Sequence, residues 1–274
     1  MIYPSVWTGY YVKETPEECC LRLKKAGFDR SELCHTHAEG LVGRGDPEAV
    51  GTQLRRFLEN EGFRLTQGHL TFTPGLANPA CLELMKKELS LFLALGIRNA
   101  VVHFNGGNDL PPEERQAARL CQLRTLQAHV KGTGLFLCLE NLGSVPETHT
   151  VQKLLGIMEA CGGENLGICL DTGHLHLVNG RGEASQSQRE FILAAGRHLK
   201  ALHITENNGK NDVHQMPYSA RYGIDWPQVV QALKEISYDG LFNFEVLGER
   251  NAPEPIKADK LQFMHRMAGT MLEG

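Results

Sequence analysis

The stretch Leu166-Gly167-Ile168-Cys169-Leu170-Asp171-Thr172-Gly173-His174 decides how this chain of 274 residues is read. A short, mostly apolar run ends on an aspartate, and a glycine follows before a histidine, the pattern of a buried strand running into a turn. Working outward, the same kind of run recurs at fairly even intervals: Ile2–Trp7, Phe28–Cys34, Phe63–Leu70, Ile97–Phe104, Leu135–Glu140, Leu199–Ile204 and Leu241–Val246. Amphipathic segments lie between them, among them Pro79–Leu95, Pro112–Lys131, Thr148–Ala160 and Pro227–Ile236. Asp225 before Trp226-Pro227 reads as an N-cap with a first-turn proline, and Pro111-Pro112-Glu113-Glu114 as an acidic helix start. Gly27, Gly62, Gly96, Gly134 and Gly240 stand just before strands, where helix-terminating glycines fall. Strands alternating with helices predict an α/β fold, and eight such units in about 250 residues predict a (β/α)8 barrel. A doubly wound open sheet is the competing architecture. With no internal repeat, low-complexity tract or long linker, residues 1–274 read as one domain.

Hydrophobic residues make up 42% and charged residues 22%, a soluble globular balance that excludes a disordered or fibrous chain. No stretch approaches the ~18 apolar residues of a membrane helix, and Met1–Pro4 lacks the start of a signal peptide, so a cytoplasmic protein is expected. Lys and Arg number 28 against 32 for Asp and Glu, a formal charge of −4 that provides no global field to gather nucleic acid. The eight cysteines form no C-x-x-C pair, and Cys138 and Cys169 sit inside apolar runs, so they read as buried thiols. The unusual count is 12 histidines.

Their positions are informative. His69, His103, Glu140, Asp171, His203 and Glu245 each stand at or near the carboxyl end of a different predicted strand. In a barrel those ends converge on one rim, and His, Asp and Glu together there suit hard-to-borderline metals. Asp171 and His174 are three apart across the turn, and Asp212 and His214 point the same way if the backbone is extended. His129, His149, His198 and His265 fall on helical segments or their ends and are assigned to solvent or packing. His176 follows the site loop, while His35, His37 and Glu32 are placed to reach the pocket from the side. Gly106-Gly107 and Gly180-Arg181-Gly182 offer backbone amides to an anion.

Together, Glu140-Asn141, Leu170-Asp171-Thr172-Gly173-His174, His203-Ile204, Asn207 to His214, Gly223-Ile224-Asp225-Trp226 and Phe244-Glu245 resemble the motifs of the xylose isomerase-like TIM barrels. That superfamily of sugar phosphate isomerases and epimerases also contains endonuclease IV. The resemblance spans essentially the whole chain. It implies one divalent ion, manganese, zinc or magnesium, held by Glu140, Asp171, His203 and Glu245, with His174 touching substrate. Likeness to endonuclease IV implies up to three ions, with His69, His103, His174, Asp212 and His214 as further metal or substrate residues. Many relatives carry a Pro-Gly-x-Gly turn in a loop that covers the pocket, where this chain has Pro217 to Gly223.

The resemblance further implies a sugar or sugar phosphate substrate whose carbonyl the ion polarises, with Glu140 and Glu245 as acid and base through an enediolate. Epimerisation and isomerisation both remain open, and so does a homo-oligomer. The alternative is zinc-dependent phosphodiester hydrolysis of abasic DNA; the negative balance stands against it, since duplex affinity comes largely from Lys and Arg. A noncatalytic sugar-binding barrel ranks below both, because the ligand set is complete.

Overall fold

The expected alternation of strands and helices is present in the computed structural model, which describes residues 1–248 and 251–273. In chain order the elements are β1 (Tyr3–Val6), α1 (Pro16–Lys25), β2 (Arg30–Leu33), α2 (His35–Val42), α3 (Pro47–Asn60), β3 (Arg64–His69), α4 (Pro79–Leu95), β4 (Asn99–Val102) and α5 (Pro112–His129). There follow β5 (Phe136–Glu140), α6 (Val151–Cys161), β6 (Leu166–Asp171), α7 (Thr172–Gly180), α8 (Gln188–Ala195), β7 (Leu199–His203), α9 (Trp226–Glu235), β8 (Leu241–Phe244) and α10 (Glu254–Glu273). No helix among the described residues is long and apolar enough to cross a membrane.

Local chemistry sets the boundaries. The Asn78 side chain accepts hydrogen bonds from the Ala80 and Cys81 amides, Pro79 fills the first turn, and Gly96 ends α4 in the left-handed conformation at φ 83°. Asp225 caps α9 by accepting from the Gln228 amide. Gly240 departs from the expected role of a left-handed terminator. Its missing side chain instead makes room for the Tyr238 phenol, which a Cβ would meet at 2.3 Å.

Every strand pairing is parallel: β2 to β7 form one sheet in sequence order, and β1 pairs with β8. A doubly wound sheet reverses its strand order at a switch point, and this order does not reverse. Pairing of the first strand with the last brings the chain ends together, as a ring requires. Between the two sheets, Ile204 bridges to Phe244 and the Ser31 hydroxyl donates to the Val6 carbonyl. Continuous laddering among the described residues therefore covers six strands and two, so the expected eight-strand ring is met in part. Strands as short as the four-residue β1, β2 and β8 leave little length to ladder against a tilted neighbour.

The apolar interior has two layers. Side chains such as Phe28, Phe63, Phe92 and Phe191 fill the space between sheet and helices, each fully buried large group contributing roughly 1.5–3 kcal/mol. A smaller cluster of Val101, Cys138, Cys169 and Ala201 comes from β4, β5, β6 and β7. Six of the cysteines are buried as expected, but Cys121 is exposed and Cys161 half-buried, because both ride on helices that meet solvent.

Strand alternation turns the small cluster into a platform. Two residues beyond Val101, Cys138, Cys169 and Ala201 stand His103, Glu140, Asp171 and His203, on the same face. The same step leads from Gln67 to His69 and from Asn243 to Glu245, and both starting residues are fully buried.

Candidate active site

The polar layer forms the floor of a cavity of about 630 Å³ at the carboxyl ends of the strands. His69, His103, Glu140, His174, Asp212, His214 and Glu245 line it, and Asp171 and His203 lie fully buried. All nine residues singled out in the sequence are thus gathered in one region. A second cavity of about 690 Å³ between α9 and α10 contains none of them.

Glu140 is the hub. His103 Nε2 donates to its Oε2 at 2.9 Å, His69 Nε2 lies 3.5 Å from the same oxygen, and His174 Nδ1 and His203 Nδ1 lie 3.1 and 3.5 Å from Oε1. His203 Nδ1 is also 3.2 Å from Glu245 Oε2, so it stands between two carboxylates. The opposite ring nitrogens are occupied: His203 Nε2 donates to Glu32 at 3.0 Å, His69 Nδ1 to the Leu70 carbonyl at 2.8 Å and His214 Nδ1 to the Glu245 carbonyl at 2.8 Å. Each such bond fixes the ring's orientation and turns its second nitrogen toward a carboxylate of the site.

Asp171 divides its two oxygens. Oδ1 accepts from the His174 amide at 2.7 Å and so caps α7, while the buried Oδ2 has no partner. This cap corrects the strand-to-loop turn expected at Asp171-Thr172-Gly173-His174: the strand passes directly into a helix, with His174 in its first turn. Asn141 clamps the same residue, donating to the Asp171 carbonyl at 3.0 Å and accepting from its amide at 2.7 Å.

These unpartnered atoms fit a cation. Asp171 Oδ2 and His203 Nδ1 are buried without hydrogen bonds, and one donor atom each from Asp171, His203 and Glu245 lies within 4.8 Å of the others. The triads His69, Glu140, His203 and His174, Asp212, His214 meet the same spacing. Oxygen and imidazole donors of this kind suit borderline and hard divalent ions.

Charge is distributed unevenly across the site. Burial pushes the Glu245 carboxyl up to about 7, against the pull of His203 and His214. Burial also acts to raise Glu140, but His103 and His203 together hold it well below the usual carboxylate range. The His103 imidazole is lowered to about 4 by its burial. His214 is raised to about 10: desolvation opposes this, and the hydrogen bond it donates to Asp212, together with nearby carboxylates, overcomes it.

The remaining histidines separate cleanly. His35 lines the cavity, its ring 4.6 Å from Phe72, whereas His37 turns away to bond the Glu14 carbonyl at 3.1 Å. Glu32 does not reach the cavity and instead anchors His203 from below. His129, His149, His176, His198 and His265 do not line the cavity. Phe72, stacked 4.5 Å from His103, is a wall residue that the sequence offered no ionisable signal to find.

Three loop expectations change. The segment Pro217 to Gly223 does not cover the pocket: Tyr218 packs on the α9 side near Trp226, and Glu206 accepts from the Ser219 and Ile224 amides at 2.7 and 2.9 Å. Gly223 is required there, since a Cβ would stand 1.9 Å from Glu206 Oε1. The Arg181 and Gly182 amides are consumed by the Leu177 and Asn179 carbonyls at the end of α7, so they form no anion cradle. Gly106 is packed against Gly75, whose added Cβ would meet it at 2.6 Å.

A model of the family described as xylose isomerase-like TIM barrel matches residues 20–267. The uncharacterized protein y4fM of Sinorhizobium fredii is 25% identical over 174 residues, which cover 62% of this chain and 53% of that protein. The chain thus spans about half the length of the curated relatives it matches. Among solved structures, a D-psicose 3-epimerase crystallised with D-fructose is similar with a TM-score of 0.79 at 18% identity, over 100% of both chains. The D-psicose 3-epimerase of Clostridium cellulolyticum H10 gives 0.78 at 17%, over 99% of both, and an L-ribulose 3-epimerase 0.77 at 18%, over 100% of this chain and 95% of that one. At these identities the likeness is one of fold.

Proposed function

Because the chain belongs to the xylose isomerase-like TIM barrel family, we propose that it is a divalent-metal-dependent epimerase or isomerase of sugars or sugar phosphates. Residues 1–274 act as one domain built on a closed ring of eight strands. The observation that carries the reading is His203 Nδ1 standing between Glu140 and Glu245, beside the unpartnered Asp171 Oδ2. The epimerases among the solved neighbours support it.

Glu140, Asp171, His203 and Glu245 hold the ion, of manganese, zinc or magnesium, and the triads around His69 with Glu140 and around His174 with Asp212 and His214 extend the set to as many as three. When bound, the ion polarises the substrate carbonyl and eases loss of the neighbouring proton. Glu245, on the other side of His203 Nδ1 from Glu140, is placed to take that proton. Glu140 is its counterpart: once it has taken up a proton from solvent, handing it to the opposite face of the enediolate inverts the centre, whereas return of the proton held by Glu245 to the former carbonyl carbon on the same face isomerises. Glu32 and Asn141 keep His203 and Asp171 in place. The eight free cysteines accord with a cytoplasmic setting.

The His174, Asp212 and His214 triad favours the abasic-DNA hydrolase as second reading. Duplex binding draws on several Lys and Arg. Here Arg181 is the one Lys or Arg among the described residues lining the cavity. Manganese-loaded protein should convert members of a ketose panel into epimers or isomers separable by chromatography, and should not nick an abasic duplex above a chelator-treated control. Nicking without any sugar conversion would reverse the order.

A further inference from the structure

We propose that the substrate bears an anionic group, a phosphate ester or a carboxylate, at the end remote from its carbonyl, and that Arg181 binds it. This rests on the epimerase or isomerase reading of the same cavity. His174, Leu177 and Arg181 all line the cavity from α7 and its C-cap, and their i, i+3, i+7 spacing puts them on one face. His174 reaches Glu140 at the floor, so Arg181 stands roughly 10 Å further along the axis at ~1.5 Å per residue.

Arg181 is held ready for such a partner. Its Nη2 donates to the Lys210 carbonyl at 3.3 Å, and among the described residues it makes no ion pair, leaving a planar fork of donors suited to phosphate or carboxylate. Ser144 adds a hydroxyl to the same cavity wall. Gly143 brings that loop close to α7, since a Cβ on it would meet Leu177 at 3.0 Å. A neutral ketose offers the Arg181 fork no charged partner.

The test titrates metal-loaded wild type, Arg181→Ala and Arg181→Lys with a ketopentose, its 5-phosphate and a keto-sugar acid by calorimetry, and with inorganic phosphate separately. Wild type should bind one of the anionic sugars at least about tenfold more tightly than the neutral one, as expected for a charge-assisted pair. Arg181→Ala should erase that ratio and Arg181→Lys should restore part of it; which anion is preferred separates phosphate from carboxylate. Phosphate binding that depends on Arg181, alongside no conversion of any ketose, would remove the epimerase reading and leave the anion site standing. Equal affinity for neutral and anionic sugars in wild type, or a ratio and phosphate binding unaffected by Arg181→Ala, overturns the proposal.

Discussion

Asp171 serves two masters within one carboxylate: Oδ1 caps α7 through the His174 amide and Oδ2 is left bare in the floor. The two duties can be separated. In Asp171→Asn the amide oxygen keeps an acceptor for the cap while the charge is lost, so the protein should stay folded and its metal affinity should fall by at least about tenfold, the lower range for losing even an outer partner of a site. Elemental analysis after dialysis reads this, and an unchanged metal content would remove Asp171 from the ligand set. The residues at run ends, His69, His103, Glu140, Asp171, His203 and Glu245, were legible because period-two alternation makes the last inward side chain of a strand predictable from its own segment. The contact of His203 with Glu32 was not, since β7 and β2 lie far apart in sequence, at opposite edges of the six-stranded sheet.

Elements were legible where they carry their own punctuation. Asn78-Pro79 and Gly96 bound α4, and the expected range Pro79–Leu95 is the observed one. The helices α2 and α7 escaped because each begins within two residues of a strand, with no loop composition between; the last residue of β6, Asp171, itself caps α7. At this scale α4 also buries an ionisable group. Glu88 is fully buried, its Oε2 accepting from the Thr71 amide at 2.9 Å and its Oε1 without a partner. Burial holds its carboxyl well above the usual range, with the Thr71 amide opposing and Glu39 reinforcing. A carboxyl raised in the folded state stabilises below the unfolded value of ~4.3 and loses that contribution as pH climbs through the folded value. Glu88→Gln, uncharged throughout, should therefore gain in Tm relative to wild type as pH rises above about 5. A Tm difference constant from pH 5 to 9 would show that Glu88 does not titrate in this way.

At the scale of the whole molecule, the bridge of Ile204 to Phe244 between the two sheets places Glu245 beside His203, which β7 delivers. No local window of sequence contains that fact; it followed only from the count of eight units and from the family motifs. Proton transfer by Glu245 beside a sugar carbonyl is the central claim, and solvent exchange tests it most directly. In deuterium oxide, metal-loaded wild type should place deuterium on the carbon next to the carbonyl of its ketose substrate, and Glu245→Gln should do so at least roughly 100-fold more slowly, the lower range for loss of a general base. Sugar conversion without deuterium in the product, or exchange undiminished in Glu245→Gln, would contradict it.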